Sequence, residues 1–214
     1  MLDLPLETVP MHPPSPPRVS QEPTGPQEGP KNPPWTAMLG RFYQKHGSAL
    51  PRMTCLDPRQ VPAPYRRLLA HHNDMTPTLE RFYGEPLALQ VCSHEHDGHS
   101  YLREVVLALG DSGTPVEYGA ICVHLQHFAE PVQKRILANE HPFGRILQAE
   151  GIPHLSWPQA FFCIDADVRL RRLLDFDQAR SLYGRRNVLL DGGRRLLAEV
   201  IEILAPLEVG PHAA

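Results

Sequence analysis

The sequence predicts an α+β fold, a six-stranded antiparallel sheet with flanking helices, joined to a disordered proline-rich N-terminus. Three observations predict it. Six segments have the short length and apolar character of strands, and two of the links between them are short, polar and glycine-containing. The stretches of helical period gather before the first strand and between the third and fourth, where a parallel doubly wound sheet would need a helix at every crossover.

From Met1 to Pro34 the chain combines proline, glycine and small polar residues, with 11 of its 24 prolines placed there. Almost no large apolar side chain follows Leu6, so nothing offsets the entropy of ordering, and disorder with short polyproline II stretches is expected. A P-x-x-P ligand for a partner domain is the functional alternative. Residues 35–214 form the second unit, a single domain of about 180 residues, long enough to bury a core without staples.

Within that domain, Trp35, Met38, Leu39 and Phe42 are spaced by three and four and make one stripe of a helix over 35–46. Prolines 51, 58, 62 and 64 mark an irregular connector. Helices follow over 64–70 and from Thr76 or Pro77 to Phe82, the latter with Thr76 as cap and Pro77 at the first helical position. The expected strands are 86–93, 101–109, 115–125, 160–165, 183–191 and 195–204. Asp111-Ser112-Gly113 and Asp191-Gly192-Gly193 serve as hairpin links, and two helices, 132–139 and 142–149, precede the fourth strand.

Composition narrows the partners. Lys and Arg number 21 against 24 Asp and Glu, a net charge of −3, which lacks the cationic surplus that phosphate backbones require. No apolar run approaches the roughly 20 residues of a membrane span, and no secretory signal opens the chain. Cys55, Cys92, Cys122 and Cys163 stand singly, as small buried apolar residues suited to a reducing compartment. A soluble cytoplasmic protein is expected, with its oligomeric state left open.

Strand alternation isolates candidate site residues. Tyr101, Arg103, Val105, Leu107 and Leu109 share one face, and Arg103 is its lone charge. In the last strand Glu199 is the lone charge among Leu197, Ile201 and Ile203, while Glu202 is the acid of the opposite face. A charge on an apolar face is costly unless paired, so these groups either form a structural ion pair or await a charged ligand.

The runs Leu102-Arg103-Glu104-Val105-Val106-Leu107, His141-Pro142-Phe143-Gly144-Arg145-Ile146-Leu147, Leu182-Tyr183-Gly184-Arg185-Arg186 and Leu196-Leu197-Ala198-Glu199, with Ala205-Pro206-Leu207, occur in the order of a known family. Together with Asn73-Asp74-Met75-Thr76 they resemble chorismate pyruvate-lyase, over about residues 64–207. The resemblance implies a six-stranded chorismate lyase-like sheet and elimination of pyruvate from chorismate, or a close enolpyruvyl analogue, to give 4-hydroxybenzoate. It implies that Arg103 grips the ring carboxylate and Glu199 meets the hydroxyl end, both as catalytic groups, with Met75, Phe143 and Gly144 lining the pocket. Phe143 departs from the leucine more usual before that Gly-Arg. The chemistry is consistent: an Arg fork orients a carboxylate, a desolvated Glu serves as base, and no metal or organic cofactor is needed.

The rival reading is non-catalytic. Effector-binding domains of GntR-type regulators share this fold, so the same sheet can bind an aromatic acid without turning it over. Such regulators place a basic winged helix ahead of the domain, and the proline-broken stretch from Trp35 to Pro64 is too short for one. The run His94 to His99 reads either as a metal-ligating cluster or as a polar hairpin loop. One of Arg185 and Arg186 faces the pocket if their strand follows its alternation, and Arg169, Arg171 and Arg172 read as a solvated face.

Overall fold

The computed structural model describes residues 32–207. The elements run α1 (Ala37–Lys45), β1 (Met53–Leu56), α2 (Ala63–Leu69), α3 (Met75–Tyr83), β2 (Leu87–His96), β3 (Ser100–Leu109) and β4 (Pro115–His124). They continue with α4 (Glu130–Leu137), α5 (Phe143–Ala149), β5 (His154–Asp165), α6 (Val168–Leu173), β6 (Ser181–Asp191) and β7 (Leu196–Leu204). The seven strands form one sheet in the order β1-β5-β6-β7-β4-β3-β2, antiparallel at every pairing.

The fold class is the expected one, with one strand more than the six predicted. Met53–Leu56 lies between Pro51 and Pro58 and pairs with Ile164 to Phe161 of β5. Four residues among prolines carry no readable period, and tertiary pairing alone makes them a strand. β5 also begins at His154 rather than Ala160, because Pro158 and a bulge before Ala160 interrupt its sequence pattern. The expected disorder of residues 1–34 falls outside the described residues up to Lys31. Beyond that it is corrected, since the Asn32 amide donates to the Pro51 carbonyl and accepts from Met53 N–H, each at 3.0 Å, and Pro34–Thr36 form a 3-10 turn.

Both faces of the sheet are covered. On one, Leu39, Phe42 and Tyr43 of α1 and Leu170 of α6 pack on Leu102, Tyr118, Phe162, Ile201 and Ile203. On the other the cover comes in two blocks. Val132, Ile136, Ile146 and Leu147 of α4 and α5 lie on Tyr101, Ile121 and Leu189, while Leu68, Leu69 and Leu79 of α2 and α3 lie on Leu87, Leu107 and Leu204. The seam between these blocks is where α3 and α5 begin.

Of two sequence-level assignments, one stands and one changes. The run His94 to His99 takes the hairpin reading: it ends the β2–β3 hairpin, whose turn closes on Asp97 as its carboxylate accepts from the N–H of His99 and Ser100. His94 and His96 stand edge-on to Tyr101. The cysteines are all free, but Cys55 and Cys92 are exposed and Cys122 and Cys163 half-buried, rather than uniformly internal.

Candidate functional site

The seam holds a half-open cavity of about 80 Å³, room for several waters or one small organic acid. Its floor is the sheet row Val105–Gly119–Glu202–Arg185, read across four adjacent strands. Gly119 has no side chain to fill the middle of that row; a Cβ there would meet Val105 Cγ2 at 3.1 Å. Met75 and Thr76 from the first turn of α3, and Phe143 and Gly144 from the first turn of α5, form the roof.

Arg103 stands on one side of the floor, 3 % exposed and among apolar neighbours Ile121 and Val105. Among the described residues no carboxylate reaches it. Its terminal nitrogens donate at 3.3–3.4 Å to the Asn139 side chain and the His141 carbonyl, and its Nε–H has no partner among them. Burial pushes its pKa down from the usual guanidinium value, opposed by the Tyr101 hydroxyl. A guanidinium desolvated without a counter-anion is costly, so the position favours an incoming anion.

Four residues along the strands, about 13 Å at the backbone, an acid cluster closes the opposite side. Glu202 accepts from Arg185 Nε, and Arg185, with no exposed surface, donates from its terminal nitrogens to the carbonyls of Leu69 (3.1 Å), His71 (3.0 Å) and Asn73 (3.2 Å). Arg185 therefore ties the α2–α3 loop to the sheet. Glu117, 3 % exposed, is left without a hydrogen-bond partner among the described residues, and burial, then repulsion from Glu202, raises its pKa well above the usual 4.5.

The rim is set by Asp74, which precedes α3 but does not cap it. Its carboxylate instead accepts from His154 Nε2 at 2.8 Å and leans closely on α5 at Gly144, where a Cβ would stand 3.2 Å from Asp74 Oδ2. That hydrogen bond raises the His154 pKa against the opposing pull of burial. The leading amides of α3 thereby have no side-chain cap among the described residues.

Of the residues chosen from sequence, Arg103, Met75, Phe143 and Gly144 line this one cavity. Glu199 does not. It lies in the row Leu102–Cys122–Glu199–Val188 on the opposite face, where Arg186 donates to it at 2.6 Å. The two acids of β7 point to opposite faces, and Glu202 is the one beside the cavity. Strand alternation marks both; the resemblance selects Glu199, which faces away from the cavity. Likewise Arg185 faces the cavity side and Arg186 the other. Glu117 was missed, although it is the lone charge among Gly119, Ile121 and Val123 on its strand face and the same alternation rule would have found it. Arg169 is not a solvated side chain either: one of its terminal nitrogens donates to both oxygens of buried Glu104 at 2.6 Å, and Tyr118 donates to the same carboxylate at 2.7 Å.

No protein family and no curated protein matches the chain. Solved structures do. PhnF from Mycobacterium smegmatis is similar at 12% identity and a TM-score of 0.49, covering 81% of this chain and 99% of its own. The effector domain of that protein gives 13% identity, a TM-score of 0.47 and coverage of 62% and 88%. The C-terminal domain of the histidine utilization repressor from Pseudomonas syringae gives 15%, 0.41, and 60% and 99%. At these identities the likeness concerns fold alone. The expectation of a chorismate pyruvate-lyase is corrected on geometry: Glu199, to which the elimination was assigned, lies across the sheet from Arg103 and is paired with Arg186.

Proposed function

We propose that the chain is a non-catalytic small-molecule-binding module that takes a small organic acid, its carboxylate on Arg103 and its body against Val105, Leu107, Ile121, Leu189 and Phe143. The observation that carries this reading is a buried guanidinium facing a half-open cavity with no carboxylate partner among the described residues. The uncapped start of α3 adds favourable amide dipoles at the same wall. An aromatic acid is one candidate within the class, and a cytoplasmic location suits the four free thiols.

Calorimetric titration of the full chain with propionate, butyrate, benzoate and 4-hydroxybenzoate, each beside its methyl ester, tests the reading. At least one acid should bind saturably and its ester should not. Arg103→Ala should weaken that acid roughly ten- to a hundredfold, as expected for loss of a charge-assisted hydrogen bond. Equal binding of acid and ester, or an unchanged affinity in the variant, overturns it.

A further inference from the structure

The cavity's unused polar atoms are not all donors. Glu117 Oε2 and Asn187 Oδ1 are both buried, both belong to residues lining the cavity, and neither has a partner among the described residues. The Asn187 amide is oriented by its surroundings. Its Nδ2 donates to Ser156 Oγ at 2.8 Å, and Ser156 Oγ in turn donates to the Asn73 carbonyl at 3.3 Å, so the oxygen is the atom left over. Arg185 makes no hydrogen bond to Glu117; its guanidinium donates to Glu202 and to three backbone carbonyls. Around the cavity three acids, Asp74, Glu117 and Glu202, face two arginines, Arg103 and Arg185. His154 partners Asp74 at the rim, which leaves Glu117 as the acid without a cationic hydrogen-bond partner among the described residues.

We propose that the ligand carries, besides the carboxylate on Arg103, a protonated amine that enters beside Glu117, so that the site selects amino acids or similar zwitterions over simple acids. This rests on the carboxylate reading above. An ammonium brings donors to an acid-lined wall that lacks them, and it neutralises a carboxylate whose ionisation is otherwise opposed by burial and by Glu202. A ligand with only a carboxylate leaves both acceptors unfilled. Gly119 keeps the path between the two ends open across the floor.

The test uses the full chain and compares β-alanine and γ-aminobutyrate with propionate and butyrate at equal concentrations, by calorimetry and thermal melting. At least one amino acid should bind tenfold or more tightly than its matched acid. In Glu117→Gln that preference should fall to less than threefold while the binding of propionate and butyrate persists, which also shows that the variant is folded. If the simple acids bind in an Arg103-dependent way but the amine adds nothing, or if Glu117→Gln keeps the preference, the zwitterion proposal fails and the carboxylate reading stands. If neither acids nor amino acids bind, both fail.

Discussion

Replacing Glu117 by Gln should make the protein more stable at neutral pH and flatten the dependence of its stability on pH. The folded state holds the Glu117 proton well above 4.5, whereas the unfolded chain releases it near that value. Between those limits the folded state binds more protons, so stability falls as pH rises. Each pH unit crossed costs about 1.4 kcal/mol, and at pH 7 the accumulated loss has a ceiling of about 3 kcal/mol. Gln removes that loss but leaves an unpartnered amide in place of an unpartnered carboxyl, a pH-independent cost of about 1 kcal/mol. The variant should therefore equal or trail the parent at pH 4.5 and exceed it by about 1–2 kcal/mol at pH 7. Urea denaturation followed by the fluorescence of Trp35, which packs on Phe162 in the core, measures both curves. His154 also makes stability decline with pH, but it is common to both proteins and cancels in the difference. Parallel curves from pH 4.5 to 8 would show that Glu117 is ionised in the fold and would refute the reasoning.

Arg185→Met should destabilise the protein by about 3–5 kcal/mol, because Glu202 and three loop carbonyls lose a buried partner; a loss under about 1 kcal/mol in urea would mean that water replaces the guanidinium freely. Gly119→Ala puts a methyl group 3.1 Å from Val105 Cγ2 and over the cavity floor, so calorimetry should show weaker binding of small acids with the melting transition retained. For His154, an NMR titration should give a midpoint above 6.5, and Asp74→Asn should bring it down; the stabilisation from this pair is present below 6.5 and is lost as pH rises through the folded-state value. An unmoved midpoint in the variant would mean that Asp74 does not hold the imidazolium.

The parts of the fold that could be read from sequence are those whose signal is local. The long strands β3, β4, β6 and β7 have period and apolar content of their own, and the turns that join β3 to β4 and β6 to β7 carry their own glycines. β1 and the first half of β5 exist through pairing, with prolines masking them. The site divides in the same way. Alternation placed Arg103 on the correct face, but it offered Glu199 and Glu202 equally, and only the position of α3 and α5 over one face decides between them. Arg185 was not separable from Arg186 for the same reason, since each neighbours a strand-face acid of β7.

The two borders of the sheet also have a bearing on how the protein behaves when concentrated. An open β-strand border offers its backbone to any other chain, the usual beginning of edge-to-edge aggregation. β1 covers β5 only from Phe161 to Ile164, and the uncovered stretch before it contains Pro158, which carries no N–H, followed by a bulge. At the far border β2 is kinked by its own bulge between Val91 and Ser93, and Lys45 and Arg41 reach across from α1 to Ser93 and Glu95. Neither border presents a flat, uninterrupted ladder of donors and acceptors, so a seven-stranded sheet can remain open at both ends without templating its own precipitation.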